Sequence, residues 1–246
     1  MFRVVIPARY ASTRLPGKAL IAIAGKPMIQ WVHERARASR AADVLIATDD
    51  TRIAAAARGF GARVEMTAAT HQSGTDRIAE VARTLRWSES DIVVNVQGDE
   101  PLMPHALIDQ VAGLLLDNPG AGIATLAAPL ARIEDLTDPN VVKVVADTGG
   151  RALYFSRAPI PFDRDGGPLS FAGARRHIGI YAYRVQTLLG MAALAPTPLE
   201  QLEKLEQLRA LENGIEIRVT DAVQKPGADV NTREDLERAT AELLRK

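Results

Sequence analysis

The sequence predicts an α/β fold in which helices pack on a largely buried sheet. Short runs of β-branched and aliphatic residues alternate with longer segments of helical period. Several of these short runs are apolar without interruption, which is typical of strands that are buried on both faces. The chain has 246 residues, of which 47% are hydrophobic, and this is enough to bury a substantial core. We therefore expect a single domain over residues 1–246.

The first half of the chain predicts a regular alternation of strands and helices. Strands are expected at residues 3–6, 44–47, 63–66, 92–96 and 123–126. Helices are expected at residues 27–39, 51–58, 73–86 and 104–117. Proline stands at the start of the first and last of these helices, and Ser73 with Asp76 forms a capping pair at the third.

The second half predicts antiparallel elements and therefore a mixed, mostly parallel sheet. Residues 141–146 and 152–155 flank a Gly149-Gly150 turn and predict a hairpin, which a loop follows at residues 159–168. Further along, the expected elements are a strand at 177–183, a helix at 199–212 stopped by Asn213-Gly214, a strand at 215–220 and a last helix from Thr232.

Composition excludes several classes of function. The chain has no cysteine, which excludes a disulfide framework, a thiol nucleophile and a Cys-ligated metal site. The 30 basic and 30 acidic residues cancel to a formal net charge of zero, so we expect neither a nucleic-acid nor a membrane partner. The apolar run at the amino terminus is cut short by Pro7 and is too short for a signal peptide or a membrane span, so we expect a cytoplasmic location.

The loop after the first strand, residues 7–18, has the composition of a polyphosphate-binding loop. It carries three cations, the two aliphatic hydroxyl side chains of Ser12 and Thr13, and Gly17. Ligands of open α/β sheets bind beyond the carboxyl ends of the strands, which is where this loop lies. The loop is not a P-loop, because Ser12 and Ala19 stand where that motif needs glycine and a hydroxyl residue. From composition alone, a solvated basic loop remains an equal alternative.

The full loop string, PARYASTRLPGK, resembles the CMP-KDO synthetases, the 3-deoxy-manno-octulosonate (KDO) cytidylyltransferases. Further matching stretches are HQSGTDR at 71–77, VNVQGDEP at 94–101, LYFSR at 153–157, RHIGIY at 176–181 and LEQLR at 205–209. The resemblance spans nearly the whole chain. It implies a Rossmann-like nucleotide-diphospho-sugar transferase fold and a homodimer, in which a β-rich appendage at about residues 130–185 supplies the dimer contact.

The resemblance also implies a reaction in which CTP and KDO give CMP-KDO and pyrophosphate, activating KDO for lipopolysaccharide synthesis. Arg9, Lys18 and Asp99 would be the catalytic residues. The nucleotide would be bound by Ala8, Arg9, Ser12, Arg14, Lys18, Ser73, Gly74, Arg77 and Gln97, and the sugar acid by Arg157, His177, Tyr181, Glu206 and Gln207. The strand and helix patterns alone would make His177 an ordinary strand residue and would place Glu206 and Gln207 on the polar face of a helix.

A magnesium ion is the expected cofactor, with Asp99 as one ligand. Asp99 follows a predicted strand, where a carboxylate that faces phosphates needs a cation between them. The chain departs from the family pattern at the second ligand, because Asn231 stands where the family has aspartate. Either Asn231 or Asp229 would complete the site, although Asn231 or Thr232 could equally act only as the cap of the last helix.

Two other functions stay open at this point. The chain could act on another acidic sugar or use another nucleotide, although Arg157, His177 and Gln207 match the KDO pattern. It could also bind a nucleotide without turnover, for which Asn231 is the one motive.

Overall fold

The strands predicted in the first half are all present and lie parallel to one another. The structure is a computed structural model that describes residues 1–11, 15–167, 170, 172–227 and 229–245. The strands of its main sheet are β1 (Phe2–Ala8), β4 (Asp43–Thr48), β5 (Arg63–Met66), β6 (Ile92–Asn95), β7 (Ile123–Pro129), β8 (Lys143–Ala146), β9 (Ala152–Ser156), β10 (Arg175–Arg184) and β11 (Ile217–Asp221). A small separate hairpin is formed by β2 (Ala22–Ile23) and β3 (Lys26–Pro27).

The described residues form a mixed nine-stranded sheet in which β10 is the antiparallel strand of the main path. The order along that path is β11-β7-β10-β6-β1-β4-β5, and β8 pairs with both β10 and β9. Because β10 runs against its neighbours β6 and β7, its amino-terminal end lies at the same edge as the carboxyl ends of the parallel strands. The predicted mixed, mostly parallel sheet is confirmed.

Helices cover both faces of this sheet. They are α1 (Met28–Arg37), α2 (Thr51–Gly59), α3 (Gly74–Thr84), α4 (His105–Asp117), α5 (Glu134–Thr137), α6 (Val185–Ala193), α7 (Pro198–Glu203), α8 (Gln207–Glu212) and α9 (Arg233–Leu243). One apolar core lies between the sheet and α1, α2 and α4, and the other lies between the sheet and α3, α6 and α8. The predicted caps are also present, with Pro27 and Pro104 before α1 and α4 and Ser73 accepting from Asp76 N–H at α3.

The single helix predicted at residues 199–212 is wrong. The structure has two short helices there, α7 and α8, separated by Lys204, which adopts the left-handed conformation with φ of 54°. The apolar spacing continues across this break, so sequence periodicity does not reveal it. The cause is tertiary, because the Arg157 guanidinium donates to the carbonyl oxygens of Glu203 at 2.6 Å and Lys204 at 3.4 Å.

Helix α6 is the main element that sequence reasoning missed. It begins at Val185, directly after β10, with Arg184 as its N-cap residue. No turn residues separate the strand from the helix, and Gly190 lies inside the helix, so the usual start signal and propensity are both absent. The short helix α5 and the β2–β3 hairpin were missed as well.

The predicted hairpin of the second half is confirmed as β8 and β9, which pair antiparallel around Gly150 at a φ of 81°. Residues 159–167 of the following loop contain neither helix nor strand, and residue 168 lies outside the described residues. In the described part of the chain, no helix combines the length and apolar composition needed to cross a bilayer.

Candidate active site

Lys18 and Asp99 meet beyond the carboxyl ends of β1 and β6. The Lys18 ammonium lies 2.5 Å from Asp99 Oδ2 and 3.4 Å from Asn231 Oδ1. Gly17, in the left-handed conformation at φ of 69°, donates to the Tyr10 carbonyl at 3.1 Å and closes the loop so that Lys18 points back to the sheet. The predicted juxtaposition of the basic loop and the carboxylate at position 99 is therefore present.

A cavity of about 390 Å³ surrounds this ion pair. Its lining comes from the ends of β1 and β6, the loop after β1, the start of α3 and the segment before α9. The lining residues are Pro7, Ala8, Arg9, Lys18, Ala19, His71, Gln72, Ser73, Gly74, Arg77, Gln97, Gly98, Asp99 and Asn231. The predicted nucleotide-binding residues thus lie together here, except for Ser12 and Arg14, which fall outside the described residues.

Close backbone packing gives the cavity its shape. A Cβ at Gly98 would lie 3.0 Å from the Pro7 carbonyl oxygen, and one at Gly74 would lie 3.1 Å from Pro7 Cγ. Glycine at both positions lets the loop after β6 and the start of α3 approach the end of β1. The amino terminus of the 11-residue helix α3 therefore opens on the cavity, where its free N–H groups and dipole favour an anion.

Two of the predicted nucleotide-binding residues are held in place by contacts with other protein side chains. Arg77 is only 4% exposed, and its guanidinium contacts Thr67 Oγ1 and lies 3.4 Å from Asp49 Oδ2. The Gln97 amide donates to Asn95 Oδ1 at 3.3 Å. This contact assigns the NH₂ end of Gln97 and leaves its oxygen as an acceptor on the cavity side.

An acidic group stands beside the cavity. Glu100 is 7% exposed and its Oε2 has no partner among the described residues. Burial, followed by the charges of Asp229 and Asp99, raises the pKa of Glu100 well above its ordinary value. Desolvation and then the charge of Asp99 raise the pKa of Asp229, which Arg176 and Lys18 oppose. The surroundings of Glu100 and Asp229 therefore disfavour the charged forms of both carboxyl groups.

The segment before α9 brings Asn231 to this group. Val230 N–H donates to the Asp99 carbonyl at 2.9 Å, which ties the segment to the loop after β6. Thr232 is the N-cap of α9 and forms a reciprocal capping box with Asp235, so the predicted cap is Thr232. Asn231 is left with its side-chain oxygen facing Lys18.

These oxygens are compatible with a hard cation. Carboxylate and amide oxygens suit Mg²⁺, which keeps several waters and takes further ligands from substrate phosphates. Among the described residues, no group of three or more His, Cys, Asp and Glu is arranged as a metal cage. A cation that depends on Asp99, on the Asn231 amide or Asp229, and on nucleotide oxygens would not need one.

Glu206 connects the cavity to the predicted sugar-binding residues. Its carboxylate accepts from Ser73 Oγ at 3.2 Å and from Thr75 Oγ1 at 3.0 Å. Burial outweighs these hydrogen bonds and raises the pKa of Glu206. Gln207, the first residue of α8, is 8% exposed and lies directly after it.

His177 and Tyr181 lie on the antiparallel strand β10. Their ring centroids are 5.2 Å apart, and Phe155 packs edge-on against His177 at 5.0 Å. Burial and then the charge of Arg176 lower the pKa of His177 to about 3. Burial, followed by the proximity of Tyr183 and Glu206, raises the pKa of Tyr181. Both side chains are therefore neutral near pH 7.

Arg157 forms hydrogen bonds with backbone carbonyl groups and with the Glu203 carboxylate. Its guanidinium donates to the carbonyl oxygens of Pro139, Glu203 and Lys204, and its backbone N–H donates to Glu203 Oε2 at 2.9 Å. Through these contacts it holds the turn that precedes Glu206. Its predicted contact with the sugar acid stays a prediction.

Sequence reasoning missed three site residues. His71 and Gln72 line the cavity, and they stand in the HQSGTDR stretch, which was the available signal. Arg176 acts electrostatically on Asp229, and its Nε is buried without a partner among the described residues. The sequence signal that could have identified Arg176 is its position next to His177 in the RHIGIY stretch.

Comparisons with known proteins relate the whole chain to one family. The family described as "Cytidylyltransferase" matches residues 3–217. The chain is 57% identical over 248 residues to a 3-deoxy-manno-octulosonate cytidylyltransferase of Thioalkalivibrio sulfidiphilus (strain HL-EbGR7), covering 99% of each protein. It is 56% identical over 250 residues to the protein of that name from Cellvibrio japonicus (strain Ueda107), covering 98% of each.

A solved structure is also similar over the whole chain. This structure, of CMP:2-keto-3-deoxy-manno-octonic acid synthetase complexed with CTP, has a TM-score of 0.92 and is 41% identical, covering 100% of this chain and 99% of that one. The predicted fold class and the resemblance noted in the sequence are thereby confirmed. The chain belongs to the 3-deoxy-manno-octulosonate cytidylyltransferase family and is a nucleotidyltransferase.

Proposed function

We propose that the chain transfers CMP from CTP to the anomeric hydroxyl of KDO, activating KDO for lipopolysaccharide synthesis. The observation that carries this proposal is the contact of Lys18 with Asp99 in a cavity that Glu206 links to a second group of polar residues. The cavity has the charge and lining expected for a nucleoside triphosphate. The second group has hydrogen-bonding residues suited to a sugar acid.

The transfer forms one bond and breaks another at the α-phosphorus of CTP. The anomeric oxygen bonds to phosphorus, and the bridging oxygen leaves with its electron pair as part of pyrophosphate. The proton of the attacking hydroxyl passes to solvent. Reactions of this type depend mainly on positioning and on neutralising phosphate charge, and they need little covalent chemistry from the protein.

Lys18 and Arg9 are proposed to hold the triphosphate. Both line the cavity, and Lys18 supplies a compact charge that suits the departing phosphates. The N–H groups at the start of α3 add donors for the same anion. The sequence prediction adds Ser12 and Arg14 to this set.

Gln97 is proposed to read the cytosine base together with the start of α3. Its side-chain oxygen is free to accept from the cytosine amino group, because its amide nitrogen is bonded to Asn95. Ser73 and Gly74 line the same cavity, with Gly74 beside the Gln97 oxygen, and Arg77 follows in the first turn of the helix.

Magnesium is the proposed cofactor. Asp99 would hold it with Asn231 or Asp229, and the bound ion would neutralise phosphate charge on the nucleotide. Lys18 is positioned to hold Asp99 before the ion arrives.

The sugar acid is proposed to lie against β10, α8 and the turn held by Arg157. Glu206 and Gln207 would take its hydroxyl groups, with His177 and Tyr181 beside them. An arginine is needed for its carboxylate, and Arg157 is the predicted residue.

The test is pyrophosphate release from CTP, KDO and Mg²⁺, measured with the full chain. We expect release with this mixture, loss of release with EDTA and recovery when excess Mg²⁺ is added. Release with sialic acid but not KDO would replace KDO by another acidic sugar. Binding of CTP without release for any sugar acid would show a nucleotide-binding protein without turnover.

A homodimer and a cytoplasmic location complete the proposal. The resemblance supports the dimer, with its contact in residues 130–185. A nucleoside triphosphate substrate is supplied in the cytoplasm, so we expect the enzyme to work there.

A further inference from the structure

The hydroxyl of Thr125 lies at a point where three polar atoms converge. Thr125 is a fully buried residue of β7, with 0% exposure. Its Oγ1 lies 2.8 Å from the Ile180 carbonyl oxygen, 3.0 Å from the Ile178 carbonyl oxygen and 2.9 Å from His177 Nε2. The register of β7 and β10 shifts between Ile178 and Tyr181, and this irregularity turns both carbonyl groups toward the hydroxyl.

The number of available protons decides which atom donates in each hydrogen bond of the Thr125 hydroxyl. A threonine hydroxyl has one proton, and a carbonyl oxygen can only accept. The Thr125 proton must therefore go to Ile180, to Ile178 or to both. If it pointed at His177, two carbonyl oxygens would face the hydroxyl oxygen at 2.8 and 3.0 Å with no proton between them. Hence Thr125 accepts from His177, and Nε2 carries the hydrogen.

The other ring nitrogen of His177 is then a bare acceptor. The imidazole is neutral near pH 7, because burial and the neighbouring Arg176 keep its pKa low. A neutral imidazole with hydrogen on Nε2 has an unshared electron pair on Nδ1. In the described part of the chain, Nδ1 has no hydrogen-bond partner and is not fully enclosed by protein atoms. It can therefore accept a hydrogen bond from a ligand.

This nitrogen lies on the side of the sheet that carries the proposed sugar site. The amino-terminal half of β10 reaches the edge where the parallel strands end, since β10 is antiparallel to β6 and β7. His177 contacts Tyr181, and Tyr181 is close enough to Glu206 for the carboxylate to raise its pKa. Glu206 in turn bonds to Ser73 in the cavity wall.

We propose that Thr125 is a positioning residue that holds His177 as the Nε2–H tautomer, so that His177 Nδ1 accepts a hydrogen bond from a hydroxyl group of the sugar acid. The inference rests on the proposed function for the identity of the sugar. It assigns His177 to a hydroxyl and not to the carboxylate, because a bare nitrogen repels an anion. The carboxylate is left to an arginine. A site built around such an acceptor also discriminates against sugars that lack the hydroxyl.

The tautomer is tested first, on the free full-length protein. Long-range ¹H–¹⁵N correlation spectra report which imidazole nitrogen bears hydrogen, and the chain has only four histidines, so His177→Gln assigns the signal. We expect hydrogen on Nε2 in the wild type at pH 7. Thr125→Val removes the acceptor and should produce a mixture of tautomers, whereas Thr125→Ser should restore Nε2–H. Hydrogen on Nδ1 in the wild type overturns the proposal, and so does an unchanged tautomer in Thr125→Val.

The consequence for substrate binding is tested by kinetics. Thr125→Val should raise the KM for KDO about tenfold, the size of one lost hydrogen bond, while the KM for CTP changes less than about twofold. Thr220→Val makes the same chemical change on the neighbouring strand β11 and should leave both KM values as they were. Equal increases in the two KM values would show a general packing defect and would overturn the positioning role.

The two proposals fail in different ways. If the wild type shows Nε2–H but releases no pyrophosphate with KDO, the proposed function and its sugar are wrong and only the tautomer assignment survives. If it turns over KDO but Thr125→Val leaves the KM for KDO unchanged, the proposed function stands and the hydrogen-bond acceptor role of His177 is wrong. If Thr125→Val does raise the KM for KDO, KDO analogues that each lack one hydroxyl identify the donor. The donor is the hydroxyl whose removal weakens binding to the wild type but not to Thr125→Val, and parallel losses for every analogue would contradict the proposal.

Discussion

At the scale of single residues, the site is organised by charges that hold one another in place. Lys18 is bonded to Asp99 and to Asn231, so one ammonium group connects the loop after β1, the loop after β6 and the segment before α9. Each of these side chains has polar partners from other elements. Changes at these positions should therefore alter binding and catalysis more than folding.

Asp99→Ala is expected to reduce kcat by about 10²–10³, the usual loss when one preorganised charge is removed from a reacting centre. The fold should persist, because Asp99 lies in a loop with its side chain 27% exposed. The measurement is pyrophosphate release together with a thermal melt. Asp117→Asn, an exposed carboxylate at the end of α4, is the control and should match the wild type. Near-normal turnover of Asp99→Ala would contradict the proposed metal ligand.

Asn231→Asp is expected to lower the Mg²⁺ concentration needed for half-maximal activity, or to leave it unchanged. A carboxylate adds charge to the proposed ligand set. Without a cation, the same charge adds to the repulsion among Asp99, Glu100 and Asp229. The melting temperature of the variant should therefore fall in EDTA and recover with Mg²⁺. A marked rise in the required Mg²⁺ concentration would show that the amide serves another purpose.

Glu206→Gln tests the buried carboxyl group through pH. The pKa of Glu206 is raised from the ordinary value of 4.5, chiefly by burial, so the folded chain holds this proton more tightly than the unfolded chain does. Its contribution to stability is complete below 4.5 and is lost as the pH rises through the raised value. Urea unfolding should show the wild type losing stability relative to the glutamine variant over this range.

The control for this titration is Glu237→Gln, which removes an exposed carboxylate of α9. Its stability difference from the wild type should show no such trend. A difference for Glu206→Gln that stays constant with pH would show that the carboxyl group is not desolvated in the folded chain. The same variant should lose activity with KDO.

At the scale of elements, a buried lysine ties β8 to its surroundings. Lys143 is fully buried, and its ammonium donates to the carbonyl oxygens of Asp138 at 3.0 Å, Val141 at 2.6 Å and Arg157 at 2.7 Å. Burial lowers the pKa of Lys143, against the opposing charges of Asp138 and Glu203. The three bonds join the strand, the loop before it and the residue that holds the α7–α8 turn.

Lys143→Met is expected to lower the free energy of unfolding by about 3 kcal/mol, because three buried acceptors lose their donor while the volume is kept. That loss corresponds to a fall in melting temperature of about 6–12 °C. Differential scanning calorimetry measures both quantities. Lys225→Met, at an exposed position, provides the baseline for losing a lysine. A change within about 0.5 kcal/mol would mean that the carbonyl groups find water instead.

The elements also show what sequence can and cannot predict. Lys18 and Asp99 could be placed together from sequence, because the carboxyl ends of parallel strands share one edge of a sheet. The break at Lys204 could not, since it depends on Arg157, which is distant in sequence. Thr125 was equally hidden, because its role depends on an irregular register between β7 and β10. Local signals therefore predict elements and strand-end motifs, while contacts made by pairing and packing need the structure.

At the scale of the whole molecule, the exposed edge strand β9 favours association with another chain. Among the described strands, β9 pairs with β8 alone, apart from a single bridge from Arg151 to Arg218. Leu153 on β9 is 54% exposed. An apolar side chain on a little-paired edge strand favours association with another surface. This strand lies within the residues 130–185 that the resemblance assigns to the dimer contact.

Sedimentation velocity is expected to give a species of about twice the 26.5 kDa chain mass. Leu153→Glu should weaken association by about tenfold or more, because a charge would be buried at the contact. Leu116→Glu, at a leucine of α4 that is 49% exposed and lies outside this segment, is the matched control. A stable wild-type monomer at micromolar concentration would remove the proposed dimer.

The hydrogen bond from Val230 N–H to the Asp99 carbonyl oxygen ties the last segment of the chain to the cavity. The whole main sheet is complete by Asp221, whereas Asn231 and the helix that anchors it come later. A protease that cut the chain before residue 229 would remove the Asn231 side chain from the cavity and uncover the apolar surface of Ile23, Met28 and Leu102 beneath α9. Loss of this segment would thus abolish activity while the main sheet remained folded.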